Sequence, residues 1–440
     1  RHSSSFVYGG PMMSESEVVA AFGKTGTADP SFIGGDVRNS YNGDPMGTME
    51  RINTTRQEAS SRWTHRANSA TIQSTLAFAD ARQESIYEGL DYDNVDKTYF
   101  GDIKVMQALG ENHILTYGAD FKREDMAARS SAFTDWNIPK DDFLYDSYAL
   151  YIQDAWMMSE KAELKVALRG AKITTDFKGQ TQEENEIDET ILLPRLHFRY
   201  DHTGEIISRL SAGEGYRSPL TFFESEHGLI GPDGFGVEVD AIERSKNAMY
   251  TLAYEGDFLS ASASGSYTEV KNLAYIDESG TRPTLKNAQE SVAIKSADIV
   301  VGYALTPHWS LSGGFEHYWY DAAYKELLFI AAVEQQARAM INYEENGYDA
   351  MLSATWTAAR DLAAYGYSDR YNAFDGTNVS APKESRSPAF TTVDFKISKE
   401  LNKTFSLYAG VKNLFDYVQT NSESPLLYDA DGNYDVGHIW

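Results

Sequence analysis

The sequence predicts an all-β fold, a large antiparallel transmembrane β-barrel, and three observations carry that prediction. Apolar and polar residues alternate at period two over long segments. Very tight turns recur along the chain. Long polar loops separate the hairpins that those turns close.

The alternation is plain between Ala162 and Phe177, where Leu164, Val166 and Leu168 interleave with Lys165, Ala167 and Arg169. A period of two is the pleat of a strand, and a helix would not separate those charges from the apolar residues. Phe405, Leu407, Ala409 and Val411 alternate in the same way with Ser406, Tyr408, Gly410 and Lys412. Alternation alone fits a water-soluble sandwich, whose apolar face meets a second sheet, as well as a barrel whose apolar face meets lipid. In a barrel these apolar residues face outward while Lys165, Arg169 and Lys412 face the lumen, because a lysine on the lipid side at mid-membrane costs about 2–4 kcal/mol.

Turn spacing separates the two. Tight turns are predicted at Ala67 to Ser69, Gly110 to Glu111, Ser159 to Lys161, His202 to Gly204, Glu255 to Asp257, Thr306 to His308, Glu344 to Gly347 and Leu401 to Lys403. Each joins two segments of roughly 11–18 residues, longer than an ordinary globular strand and long enough to cross a membrane. Between the hairpins lie polar loops at Ile86 to Lys97, Arg129 to Asp142, Lys178 to Glu186, Pro219 to Ile242, Asp277 to Lys286, Leu362 to Ser387 and Asp416 to Gly437. Short turns at one end and long loops at the other organise an outer-membrane barrel, whereas a sandwich has no reason to keep that asymmetry.

The count from Arg51 to Asp416 is about sixteen strands, and Gly437 to Trp440 reads as the start of one more. Residues 1–50 read as a strand end at Arg1 to Tyr8 followed by an exposed Gly- and Pro-containing loop. No linker or second domain is read within 1–440. The first residues lack the pattern of a signal peptide and open in mid-strand, so the chain is expected to begin partway through a larger protein. No segment approaches the ~18 continuous apolar residues of a membrane helix.

Composition limits the function. With 39 basic against 65 acidic residues the net charge is -26, which disfavours nucleic acid and other polyanionic partners. The absence of cysteine removes disulfides, thiolate metal sites and a Cys nucleophile. The 28 Tyr exceed the 21 Phe and 7 Trp, and phenols suit positions half in lipid and half in water. Hydrolase motifs are missing: there is no GxSxG and no HExxH, and the nine His are scattered, so no enzyme is expected. Gly23-Lys24-Thr25 imitates the end of a phosphate loop, but Val18 stands where the first Gly is required.

Five segments, in order, resemble the TonB-dependent outer-membrane receptor family. They are YALYIQDAW at Tyr148 to Trp156, LPRLHFRY at Leu193 to Tyr200, SAGEGYRSP at Ser211 to Pro219, ERSKN at Glu243 to Asn247 and GVKNLFD at Gly410 to Asp416. Ser218 replaces the family's Ala after the rim arginine, and Ala241 stands where Pro is frequent. The resemblance implies a 22-strand barrel when intact, of which about 16 to 17 strands lie here, with the plug domain and the last strand not present. It implies uptake of a scarce nutrient, a ferric siderophore first. Haem, cobalamin or oligosaccharide uptake by the same mechanism, or a passive pore or adhesion barrel, remain the alternatives. Implied partners are outer-membrane lipid and lipopolysaccharide, the nutrient itself, and a TonB-ExbB-ExbD complex acting through the N-terminal plug region. The implied location is the bacterial outer membrane.

The best binding candidates are Tyr216, Arg217, Phe222, Phe223, Glu224 and His227, which gather cationic, aromatic, acidic and imidazole groups in one loop. An arginine with aromatic neighbours can hold an anionic or catecholate ligand, while Phe and His can receive a porphyrin. The same residues would also serve as rim packing, with Arg217 neutralising a lumen carboxylate. The family's haem receptors carry Asn-Pro-Asn-Leu after the loop histidine, and it is missing here. No cofactor is expected beyond calcium in the extracellular loops, where Asp429, Asp431, Asn433 and Asp435 alternate hard oxygen ligands around Gly432 without the closing Glu of an EF-hand. The acidic run Glu183, Glu184, Glu186, Asp188 and Glu189 reads as a solvated loop that could bridge to lipopolysaccharide through divalent cations.

Overall fold

The computed structural model describes residues 2–8, 50–87, 90–130, 133, 140, 142–178, 186–220, 236–277, 280, 284–327, 331–361, 364–365 and 386–417. Seventeen strands form one sheet. In chain order the first nine are β1 (His2–Tyr8), β2 (Glu50–Arg66), β3 (Ala70–Tyr87), β4 (Leu90–Leu109), β5 (His113–Arg129), β6 (Phe143–Ser159), β7 (Ala162–Asp176), β8 (Glu186–Asp201) and β9 (Ile206–Arg217). The sheet continues through β11 (Glu243–Glu255), β12 (Leu259–Lys271), β15 (Val292–Ala304), β16 (Trp309–Tyr320), β17 (Gln335–Glu345), β18 (Tyr348–Thr357), β19 (Phe390–Glu400) and β20 (Ser406–Val411). Each pairs antiparallel with the next in that order. Three short strands, β10 (Gly236–Glu238), β13 (Ala274–Asp277) and β14 (Thr284–Asn287), make a separate sheet in which β10 and β14 run parallel. A single-turn helix, α1 (Ala322–Leu327), follows β16.

All eight predicted tight turns join hairpins, and local chemistry explains several. At β17–β18 the Asn346-Gly347 pair holds φ of 51° and 75°, the left-handed pair a two-residue hairpin requires. Thr203 Oγ1 accepts from the Ile206 amide at 3.0 Å, Thr306 Oγ1 from Trp309 at 3.1 Å, and Asn402 Oδ1 from Phe405 at 3.0 Å. Each is a polar side chain closing its own turn.

One predicted loop is overturned. Ile86 to Lys97 is not a loop, because β3 runs to Tyr87, β4 starts at Leu90, and the two pair from Tyr87↔Leu90 through Asp80↔Lys97. The aspartates at 91, 93 and 96 read as loop chemistry, yet Tyr92 and Asn94 are buried on one face of the strand, and Asp96 shares that face. A strand that rises past the lipid keeps one packed face and wets the other. The acidic run is corrected in part: Glu186, Asp188 and Glu189 belong to β8, while Glu183 and Glu184 lie outside the described residues.

The outward face is the one predicted. Leu150, Val166, Leu168 and Leu192 are exposed, while their neighbours Ala149, Ala171, Ile191 and Leu193 are buried. Register carries Leu164 with Trp156 and puts Leu407, Ala409 and Val411 beside Lys399, Ile397 and Phe395. Lys165 and Arg169 take the inner face, Arg169 paired with Asp120, and Lys412 follows the last residue of β20. Aromatic rings band the outside at two levels. The lower level has His113 stacked on Trp156 at 5.6 Å and Trp309 beside Tyr343 at 4.8 Å, and the upper has Phe78 with Tyr99 at 5.0 Å and Phe121 with Tyr148 at 6.4 Å. From Tyr148 to Trp156 the tilted strand rises about 20 Å, close to the height of a barrel's apolar band.

Candidate functional site

Above the upper aromatic band the strands enclose a mouth whose two sides differ. On one side the inner faces of β4 to β8 bury Tyr92, Met126, Phe143, Ile173 and Ile187, and Val237, Val239 and Ile242 pack into the same cluster. On the other side the inward positions of β12, β15, β16 and β17 include Ser264, Ser266, Ser296, Asp298, Glu316, Gln336 and Arg338, none of them buried, together with Tyr318 and the buried Val292.

Tyr216 and Arg217 stand between the two. After the Arg195↔Gly213 pair β9 parts from β8, and the Tyr216 hydroxyl comes to 3.2 Å from Ser147 Oγ and 3.4 Å from the Tyr145 hydroxyl. Gly213 marks the separation, since a Cβ there would sit 2.8 Å from Arg195 Cγ. Arg217 donates from Nε and Nη2 to both oxygens of Glu243, the second bond at 2.7 Å. The Glu243 side chain is 5% exposed and Arg217 is 70% exposed. Glu243 Oε1 also accepts the Ala274 amide at 2.8 Å. The carboxylate holds Arg217 charged, raised above its ordinary value by that bond, and leaves the outer edge of the guanidinium in water. Tyr324 lies within electrostatic reach of it.

Tyr324 belongs to a group the sequence reading missed. Tyr318 and Tyr320 stack at 6.1 Å, and Tyr320 and Tyr324 at 5.0 Å with an interplanar angle of 11°. The stack forms because β16 ends in Tyr318 and Tyr320 on one face and α1 returns Tyr324 over them. Asp321 starts that helix, its Oδ1 accepting the Tyr324 amide at 2.8 Å. Nearby, Lys325 lies 5.3 Å over the Tyr365 ring and 2.5 Å from Glu334, and the Tyr365 hydroxyl donates to Glu334 at 3.3 Å. Burial raises Tyr324 and Tyr365 above the usual phenol range. Arg360 is buried, donates to the Ala331 carbonyl at 3.2 Å, and is lowered from its ordinary value by desolvation. The clue in the sequence was the YWYDAAY run at Tyr318 to Tyr324.

A second missed group lies on the inner face three residues above Tyr99. Asp96 is pushed up to about 6, by burial first and by the charge of Glu124 second, while Glu124 pairs with Lys122. Phe222, Phe223, Glu224 and His227 lie outside the described residues, as do Asp429, Asp431, Asn433 and Asp435. Among the described residues no group of three or more His, Asp or Glu is placed to hold a metal ion.

A family model described as "TonB dependent receptor-like, beta-barrel" matches residues 15–414. Among solved structures, the copper transporter OprC superposes with a TM-score of 0.64 at 14% identity, covering 84% of this chain and 66% of that one. The ferric enterobactin receptor PfeA of Pseudomonas aeruginosa gives 0.66 at 14%, covering 89% and 60%. The FrpB iron transporter of Neisseria meningitidis gives 0.64 at 14%, covering 84% and 59%. The chain thus spans less than two thirds of the length of these structures, and at such identities the likeness is one of fold. No curated protein sequence matches the chain.

Proposed function

The chain belongs to the TonB-dependent receptor-like β-barrel family, and on that premise we propose that the intact protein takes up a ferric siderophore across the bacterial outer membrane by TonB-dependent active transport. The nutrient binds at the mouth, and a TonB-ExbB-ExbD complex working through a plug region drives its inward release. The barrel does no covalent chemistry. Its share is a selective opening and a polar wall.

The observation that supports this ligand is Arg217 beside the tyrosine stack. A guanidinium fixed along one edge by Glu243 keeps its other donors free for an anionic group, and stacked phenols offer flat faces to an aromatic chelator. Outer-membrane lipid covers the apolar band, and exposed ion pairs just above it, such as Arg123 with Asp146 at 2.7 Å, suit the headgroups of lipopolysaccharide. Binding of a ferric catecholate siderophore to cells bearing the intact protein tests the reading. Arg217→Ala is expected to weaken it by about 1.5–3 kcal/mol, with Lys165→Ala on the lumen wall as control. Unchanged affinity in Arg217→Ala and in a Phe222/Phe223 double alanine variant would leave this region as rim packing.

A further inference from the structure

We infer that the mouth is closed over β4 to β8 by a fixed septum, residues 236–242 with β13 and β14, so that the nutrient's route runs along the serine-rich wall of β12 to β17. The inference goes beyond the uptake proposed above and depends on it only for there being a nutrient to pass. Two features separate a septum from a lid.

The first is what the segment buries. Val237, Val239 and Ile242 are at most 1% exposed and sit among the inward side chains of β4 to β8, in space that a water-filled barrel would leave polar. Lifting them would expose both surfaces to water. The second is how its backbone is held. Asn287 Nδ2 donates to the carbonyls of Ala241 at 3.1 Å and Asn272 at 2.8 Å, and its Oδ1 accepts the amides of Asp240 at 3.1 Å and Ala241 at 3.2 Å. Asn272, itself at a φ of 56°, donates to the Ile242 carbonyl at 3.1 Å, while Glu189 accepts the Ile242 amide at 2.9 Å. Polar groups of the segment are thus answered by side chains from β14, β8 and the end of β12, and movement would orphan them together. A lid that opens in every transport cycle is built from the weakly held end of a structure. Among the described residues of β12, β15, β16 and β17 only Val292 is buried, and Ser296 and Gln336 there remain partly open.

The chain has no cysteine, so single cysteines report their own surroundings. Val239→Cys and Gln336→Cys, each in the intact protein on whole cells, are treated with a membrane-impermeant maleimide, with and without the proton-motive force. Correct assembly is checked by heat-modifiable migration, and Ile187→Cys replaces Val239→Cys if that variant does not assemble. The septum predicts labelling at Gln336 at least about tenfold faster than at Val239, with the Val239 rate unchanged by energy, because a closed core reacts only through rare opening. Val239→Cys labelling as fast as Gln336→Cys in energised cells would make the segment a moving lid and overturn the inference. A Gln336→Cys that resists the reagent would overturn the assigned route. Neither readout requires a siderophore, so failure of the proposed nutrient leaves this test standing.

Discussion

At the scale of residues, the mouth is governed by carboxylates whose surroundings decide what they can do. Glu243 is nearly enclosed and depends on Arg217 and the Ala274 amide. Removing only the arginine strands that carboxylate at a cost of about 1–3 kcal/mol, and Arg217→Ala combined with Glu243→Gln should recover part of it in urea titrations of the folded barrel. Asp96 shows the opposite case. Its folded value of about 6 lies above the ordinary 3.8, so the fold disfavours the charged form. The stability it contributes is complete below pH 3.8 and is lost as pH rises through about 6. Asp96→Asn should therefore raise the midpoint of heat-modifiable unfolding at pH 8 and leave it unchanged at pH 4. A variant less stable than the parent at pH 8 would contradict that sign. That Tyr216 and Arg217 end a strand at the rim was legible in the sequence, because the Gly-Tyr-Arg segment closes a readable strand. Their partners were not: Ser147, Tyr145 and Glu243 stand 69, 71 and 26 positions away. Alternation says which face a residue takes, and it is silent on which distant residue shares that face.

At the scale of elements, hairpins were the readable unit, since a tight turn is encoded by its own few residues while a long loop is not. The Asn346-Gly347 turn and the Thr203, Thr306 and Asn402 turns each carry their cause locally. The misread stretch from Ile86 to Lys97 carried acidic residues that mark loops in most proteins. Here they belong to a strand one face of which, through Tyr92, closes a core made with β5 to β8, and nothing local announces that core. The three-stranded sheet β10-β14-β13 was hidden for the same reason, since β10 and most of β14 lie in segments read as loops. Close strand contact gives a further prediction. A Cβ at Gly118 would sit 2.2 Å from the Ile103 carbonyl and 2.6 Å from the Tyr151 hydroxyl, which donates to Asp102 at 2.7 Å. Gly118→Ala should displace Tyr151, break that bond and cost about 1–3 kcal/mol, while Gly204→Ala, with open space around it, should cost far less. Equal unfolding midpoints for the two would argue against the packing of β5 on β6.

At the scale of the whole molecule, one alternation repeated over seventeen strands produces lipid on one side and a polar lumen on the other. That is why a single strand such as β7 shows the two faces and the recurring turns show the barrel, and why the ligand could not be read: the wall is common to carriers of many nutrients, and fold does not imply ligand. The outward assignment predicts that Leu168→Lys lowers stability by about 2–4 kcal/mol if it lies near mid-membrane, while Ala167→Lys on the lumen side changes it little. The central claim is active uptake through this wall. The most direct measurement follows radioactive iron, supplied as a ferric catecholate siderophore, into iron-starved cells that depend on the intact protein. The account predicts saturable accumulation that stops when a protonophore collapses the proton-motive force, while surface binding persists. Accumulation that continues without that force, or that rises linearly with concentration, would mean a passive pore and contradict it.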